Sequence, residues 1–262
     1  MDLSVPPAYP EGHGLLTDKI VVITAAAGAG IGGATARRCL EEDARVVVSD
    51  AHERRLKAFE AELIETYGDG IVAAVPCDVT DEARVQALYA AAVERFGRVD
   101  IAVNNAGLGG TADIVDMTDE QWSKVLDVTL TGTFRCTRAA LRVMAGQHAG
   151  VIVNNSSVIG WRAQRGQAHY AAAKAGVMAL TRCAALEAVD HGVRINAVAP
   201  SLAMHPHLAK VTSEELLAEL TRREAYGRYA EPWEVANVIV FLASDYASYL
   251  VGEVISVSSQ HP

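Results

Sequence analysis

Tyr170 and Lys174 stand four residues apart in Tyr-Ala-Ala-Ala-Lys, a spacing that puts both side chains on one face of a helix. A free tyrosine hydroxyl titrates near ~10 and is a poor base at neutral pH. A lysine ammonium within a few ångströms favours the phenolate and lowers that value. Ser157 precedes the tyrosine by thirteen residues and offers a hydroxyl to the same space. A phenol, a charge that tunes it and a serine can move a proton on or off a carbonyl oxygen. Tyr-x-x-x-Lys is also common on solvated helices, so the rest of the chain has to decide.

The elements needed to position these groups are present in order. Residues 19–24 (Lys-Ile-Val-Val-Ile-Thr) form an apolar run of the kind covered on both faces of a sheet. They lead into Ala25-Ala-Ala-Gly28-Ala-Gly30-Ile31-Gly32 and a helix through Leu40. Strand, small-residue loop and helix make a phosphate cradle, with free amides and the positive dipole end at the helix start. A second strand, 45–50, ends at Asp50, roughly twenty residues on, where a carboxylate meets the adenosine ribose. Its other reading is a helix N-cap. An acid there repels a 2′-phosphate, which favours NAD(H) over NADP(H), although Arg54 and Arg55 follow closely.

Strand 71–76 leads to Asp78 and Val79, and strand 99–103 to Asn104-Asn105-Ala106-Gly107. A helical stretch over 119–145 carries Asp127-Val-Thr129-Leu-Thr-Gly132. Strand 151–154 precedes Asn155-Ser156-Ser157, the Tyr170 helix runs to about 190, and strand 193–198 ends at Ala199-Pro200-Ser201. The pattern then weakens over 202–229, with a helix near 213–224, and reads as a lid over a site. A helix over 231–243 and a strand over 253–257 close the chain. Alternation throughout predicts one α/β domain, a doubly wound parallel sheet of about seven strands with helices on both faces. That domain spans 17–262, after an N-terminal extension (1–16) read as packing on a neighbouring subunit.

Bulk properties narrow the partners. The 262 residues carry a net charge of −9, against nucleic acid or an anionic membrane as the main partner. Four scattered cysteines without a Cys-x-x-Cys read as free thiols of a reducing cytoplasm. His205-Pro-His207 lacks further ligands at metal spacing, so no metal is expected. No secretory signal and no apolar run near ~20 residues is visible, which points to a cytoplasmic protein.

Taken together, Thr24 with the Gly28-Ala-Gly30-Ile-Gly32 turn, Asp50, Asp78, Asn104-Asn-Ala-Gly107, Ser157, Tyr170, Lys174 and Pro200 resemble the single-domain branch of the short-chain dehydrogenase/reductases, over residues 17–258. The resemblance implies that Tyr170 is the general acid/base, that Lys174 binds the nicotinamide ribose and lowers the tyrosine pKa, and that Ser157 holds the substrate oxygen. It implies further that Gly28, Gly30 and Ile31 line the pyrophosphate, Asp50 the adenosine ribose, Asp78 and Val79 the adenine, and Asn105, with Ala106 and Gly107, the ribose beyond. Pro200 closes the cofactor set, and the family suggests a homotetramer.

Departures from the family pattern are specific. Ala25 stands where a first glycine is usual, and the turn is one residue longer. Thr129 replaces an asparagine thought to hold a water behind the lysine, so its hydroxyl either holds that water differently or the proton uses another route. Pro200-Ser201 replaces Pro-Gly, His205 stands where a cofactor-contacting threonine is frequent, and Val257-Ser-Ser-Gln lacks an Asp-Gly-Gly. Trp161, Arg162 and Arg165, between serine and tyrosine, are candidate substrate residues, the arginines for a carboxylate or the phosphates of a CoA thioester. His205 is a fourth. Solvated charges and loop packing are the plain alternatives.

The Ala-Ala-Ala-Gly-x-Gly-Ile-Gly turn, Asp-Val-Thr-Leu, Ala-Pro-Ser and His205 resemble an actinobacterial group acting on CoA thioesters from sterol-ring breakdown. The expected function is NAD-dependent interconversion of a secondary alcohol and a ketone on a hydrophobic ring or acyl-CoA. The alternatives are a 3-oxoacyl-thioester reductase of fatty-acid synthesis, since Gln167-Ala-His-Tyr-Ala-Ala-Ala-Lys-Ala-Gly resembles those enzymes too, and a dinucleotide-binding sensor without turnover.

Overall fold

A computed structural model describes residues 2–204 and 214–260. Seven parallel strands lie in the order β3-β2-β1-β4-β5-β6-β7. They are β1 (Ile20–Ile23), β2 (Arg45–Asp50), β3 (Val72–Pro76), β4 (Ile101–Asn104), β5 (Gly150–Asn155), β6 (Val193–Pro200) and β7 (Val254–Val257). The helices are α1 (Ile31–Glu41), α2 (Glu53–Tyr67), α3 (Glu82–Phe96), α4 (Asp119–Leu126), α5 (Gly132–Gln147), α6 (Ala168–Ala188), α7 (Glu214–Arg223) and α8 (Pro232–Ala243).

The strands read as continuous apolar runs because both faces are covered, and period two sends alternate residues to opposite cores. Val21, Ile23, Val46 and Val48 pack in the core beneath α1 and α8, with Leu40, Ile239 and Val240. Val22 and Val47 face the other way, into a core with Leu88 of α3, Met144 of α5 and Ala185 of α6.

Three details differ from the sequence reading. The stretch expected as one helix over 119–145 is α4 and α5 joined by a π-helical segment, Asp127–Thr131, which contains Thr129. Such widened turns are rare and concentrate at functional sites. Second, β4 starts at Ile101 rather than at Val99, whose amide is taken by the Gln147 side chain at 3.0 Å. Third, the N-terminal extension, expected to pack on a neighbouring subunit, makes contacts within its own chain. Tyr9 meets the Trp233 ring edge-on and hydrogen-bonds Glu41 at 2.7 Å. Buried Glu42 accepts the amides of His13 and Leu15 and pairs with Arg38 at 2.7 Å. The extension thereby joins α1 to α8. The lid read over 202–229 is described only in part, and His205 lies outside the described residues.

Candidate active site

Strand order reverses direction between β1 and β4, and a doubly wound sheet opens its ligand crevice beyond the carboxyl ends at that point. The loop after β1 is shaped by close backbone approach. A Cβ on Gly32 would stand 2.5 Å from the Ala25 carbonyl oxygen and from Asn105 Nδ2. One on Gly33 would stand 1.8 Å from the Gly28 oxygen. Gly28 itself has φ +130, and Ala25 holds φ +51, a left-handed conformation that explains why glycine is usual there. Helix α1 starts at Gly30 with no side-chain cap and no acid in its first turn. Its first amides are left for an anion, and half-buried Ile31 opens the helix.

Asp50 is buried at the end of β2. Its Oδ1 accepts the His52 amide at 2.8 Å and Arg55 Nη2 at 3.3 Å, while Oδ2 has no hydrogen-bond partner among the described residues. Asp78 accepts the Thr80 amide and hydroxyl, which holds its carboxyl below the usual range, the backbone bond contributing most. Val79 packs against Gly132, where an added Cβ would lie 2.6 Å from its methyl.

A hydrogen-bonded web joins the glycine loop to Lys174. Thr24 Oγ1 accepts the amides of Asn105 and Ala106 at 3.0 and 3.1 Å. Asn105 Nδ2 donates to the Thr24 and Ala25 carbonyls, and Asn105 Oδ1 accepts from Asn155 Nδ2 at 2.8 Å. The Asn155 carbonyl in turn accepts from Lys174 Nζ at 2.6 Å. Gly107 lies beside the same ammonium, where an added Cβ would be 3.4 Å from Nζ.

Lys174 Nζ lies 5.6 Å from the Tyr170 ring centre, so the i, i+4 pair converges. Ser157 sits at the end of β5, its Oγ 3.4 Å from the Pro200 carbonyl to which it donates. Burial pushes Tyr170 up to about 12, opposed by its hydrogen bond with Ser157, and pushes Lys174 down to about 8. Desolvation, the largest influence on Tyr170, acts opposite to the lowering expected from sequence.

Thr129 is fully buried, and its hydroxyl grips one residue from both sides, donating to the Leu108 carbonyl and accepting from the Leu108 amide, each at 3.0 Å. The hydroxyl has one proton, and it is spent on that loop. The Thr129 hydroxyl thus holds the Leu108 loop.

The candidate substrate residues are tied to other segments. Arg162 donates to Gln260 Oε1, and exposed Arg165 is paired with Asp113 through two hydrogen bonds. Trp161 is 42% exposed at the same rim. Gln167 adds a stitch, donating to the Gly110 carbonyl at 2.7 Å and so closing the loop after β4 on the start of α6. Asn155 and Gln260 are the residues that sequence reasoning missed. A polar residue ending an apolar strand was a usable signal for Asn155; none existed for Gln260.

Among the described residues no group of three His, Cys, Asp or Glu is placed to hold a metal ion, and no helix is long and apolar enough to cross a membrane. A dinucleotide does fit the residues present: a cradle that a Cβ would fill, an uncapped helix start, an unpartnered Asp50 oxygen, and the buried, unpartnered Oδ1 of Asn155.

Comparison with known proteins agrees. A family model described as enoyl-(acyl carrier protein) reductase matches residues 25–259. A Mycobacterium tuberculosis protein named (5R,7aS)-5-hydroxy-7a-methyl-1-oxo-2,3,5,6,7,7a-hexahydro-1H-indene-carboxyl-CoA reductase is 63% identical over the full length of both chains. A 3-oxoacyl-[acyl-carrier-protein] reductase of Thermotoga maritima is 38% identical over 92% of this chain and 97% of its own. The crystal structure of a short chain dehydrogenase from Mycobacterium smegmatis, 58% identical, superposes with a TM-score of 0.89 over 99% of this chain and 100% of that one. The chain belongs to the short-chain dehydrogenase/reductase family, whose members are NAD(P)-dependent oxidoreductases acting on CH–OH groups.

Proposed function

We propose that this protein interconverts a secondary alcohol and a ketone on a fused-ring CoA thioester of steroid degradation, with NAD(H) as cofactor. The observation that carries the substrate class is 63% identity, end to end, to a reductase named for such a thioester. The acyl-carrier reductase reading is supported at only 38% identity. Asp50 supports NAD(H): its buried carboxylate keeps an oxygen for ribose hydroxyls and opposes a 2′-phosphate. Arg55 pulls the other way, so the balance is a matter for kinetics.

In this reading the dinucleotide lies on Gly28, Gly30 and Ile31, against Asp50, Asp78 and Val79, and along Asn105, Ala106, Gly107 and Pro200. The bound nicotinamide supplies or accepts the hydride. Ser157 hydrogen-bonds the substrate oxygen and steadies its developing charge. Tyr170 gives that oxygen a proton in reduction and removes one in oxidation. A phenol held near 12 keeps its proton at neutral pH, which suits reduction, while oxidation needs the phenolate and gains with alkalinity. Lys174, anchored on the Asn155 carbonyl, holds its charge below about pH 8 and presents it to the nicotinamide ribose. Thr129 acts by fixing Leu108 and so the loop wall beside Tyr170, whose ring a Cβ added at Gly109 would reach at 3.8 Å.

Free Cys39, Cys77, Cys136 and Cys183 support a cytoplasmic location, and exposed Phe134, Leu186 and Val189 on the α5–α6 side support a homotetramer. The experiment is a steady-state comparison of NADH and NADPH with that thioester, with Tyr170→Phe as control. Preference for NADH and a fall of about a thousandfold in kcat for Tyr170→Phe are expected. A clear NADPH preference sinks the cofactor assignment, and activity surviving in Tyr170→Phe sinks the mechanism.

A further inference from the structure

The tail after β7 gathers side chains that the hydride chemistry does not use. Glu224, directly after α7, is 4% exposed. Its carboxylate accepts the Ser259 hydroxyl and the Gln260 amide nitrogen, both at 2.7 Å, and more weakly the Leu202 amide at 3.5 Å. Among the described residues these are its donors, and all three are neutral. A buried carboxylate without a counter-ion is tolerated only when its oxygens are hydrogen-bonded in this way. Nearby Arg228 is spent on Glu234, with bonds of 2.7 and 2.8 Å.

Gln260 faces two ways. Its Nε2 donates to Glu224, and its Oε1 accepts from Arg162 Nη1. A primary amide presents donors to an anion and an acceptor to a cation on opposite edges of one planar head, and the two charged neighbours dictate which edge is which. The segments joined are far apart in sequence. Arg162 lies in the turn between Ser157 and Tyr170, Leu202 follows β6 just beyond Pro200, and Glu224 ends α7. One side chain in the tail therefore sets the turn that carries the catalytic serine against the helix across from it. The polarity of the bridge, negative Glu224 to amide to positive Arg162, strengthens both bonds.

We propose that Gln260 is a positioning residue for substrate binding, coupling the end of α7 to the Arg162 turn so that both present one fixed wall to the substrate. Ser157, Tyr170 and Lys174 are held by contacts that do not pass through Gln260, so the chemical step is largely spared. The kinetic part of the test rests on the proposed substrate class; the exchange part does not.

The test uses the full chain and the variants Gln260→Ala, Gln260→Glu and Glu224→Gln/Gln260→Glu. Hydrogen exchange is followed in peptides over 159–168 and 214–224, and turnover is measured with the hexahydroindene-carboxyl-CoA thioester for which the relative is named. Gln260→Ala is expected to raise exchange in both segments together. It is also expected to raise KM about tenfold with kcat within about twofold, the effect of one charge-assisted hydrogen bond. Gln260→Glu keeps the acceptor for Arg162 but sets a carboxylate against Glu224, so its effect is at least as large. In the double variant an amide at 224 donates to a carboxylate at 260 that still accepts from Arg162, and both readouts return toward wild type. A tail that merely supports the fold would lower the melting temperature without this rescue. Loosening of one segment alone, absence of rescue, or a fall in kcat at constant KM overturns the proposal. Absence of turnover by wild type rejects the substrate class and leaves the exchange arm to judge the coupling.

Discussion

Asn105 on the proposed cofactor side of the cleft and Arg165 on the proposed substrate side are both held by hydrogen bonds to loops distant in sequence, yet their surroundings differ. Asn105 is half-buried and meets four groups: the Thr24 hydroxyl, the carbonyls of Thr24 and Ala25, and the Asn155 amide. Arg165 is 88% exposed and meets one carboxylate, on Asp113. Bonds of the first kind are costly to break because each loss leaves a buried group unpaired, while bonds of the second kind compete with water and salt. The proposed cofactor side is thus a fixed frame and the proposed substrate rim an adjustable edge. This is the arrangement expected of a fold that keeps one chemistry and changes its substrates.

The frame should break most sharply at Gly33. An added Cβ would sit 1.8 Å from the Gly28 carbonyl oxygen and 3.1 Å from that of Ala26, both backbone atoms that cannot turn aside. Gly33→Ala is expected to cost ~3 kcal/mol or more in stability or to weaken dinucleotide binding at least a hundredfold, beyond the ordinary range for overpacking. Titration of NADH by fluorescence, with a thermal melt, measures both. Unchanged values would mean that the loop is not the fixed element described.

Lys174 gives an effect of opposite sign. Its drop from 10.5 to about 8 corresponds to a penalty of ~3 kcal/mol on the buried ammonium at neutral pH. Lys174→Met removes that penalty and also the bond to the Asn155 carbonyl, worth ~1–2 kcal/mol, so a net gain of ~1 kcal/mol is expected while activity is lost. The sign with pH follows from proton counting. Between about pH 8 and 10.5 the unfolded chain holds a proton that the folded chain has released, so wild-type stability from this group rises with pH. The advantage of the variant should shrink across that window. Melts at pH 7 and pH 10 test this, and a variant less stable at pH 7 refutes it.

Much of this was legible in the sequence, and the limits have a physical cause. Parallel strands covered on both faces write themselves as unbroken runs such as Ile20–Ile23, and the carboxyl ends of those strands locate Asp50, Asp78, Asn105 and Ser157. Tyr170 and Lys174 are paired by local helical geometry. The π segment at Asp127–Thr131 escaped because one widened turn hardly alters apolar spacing over so short a stretch. Contacts such as Thr129 with Leu108, Arg165 with Asp113 and Gln260 with Arg162 span 21, 52 and 98 residues, and only the folded chain sets those pairings. The direction of the Tyr170 shift was missed for a related reason: proximity in sequence revealed the neighbouring charge but not the burial that raises the phenol.

Thr129 sharpens the comparison, since it belongs to the frame although it stands beside the reacting groups. Thr129→Val keeps the shape and removes the hydroxyl, leaving the Leu108 amide and carbonyl unpaired at a cost of ~1–3 kcal/mol. Stability and cofactor affinity should fall together, and Thr129→Ser should restore both. A relay role would instead leave the melting temperature in place and lower turnover alone, which separate measurement of the two distinguishes.

The smallest structural effect is expected at the rim, where the sign carries the information. Both partners of the Arg165–Asp113 pair are solvent-accessible, so breaking it should leave the melting temperature unchanged within measurement. If Arg165 serves the thioester, its guanidinium has two competing anions: Asp113 and a phosphate or carboxylate of the substrate. Arg165→Ala then raises KM, whereas Asp113→Ala releases the guanidinium and lowers it, and both changes fade as salt screens the charge. If the pair only joins the two loops, either substitution loosens the same contact, and KM moves in the same direction for both. Opposite signs identify an adjustable edge that recognises an anion; equal signs extend the fixed frame to the rim.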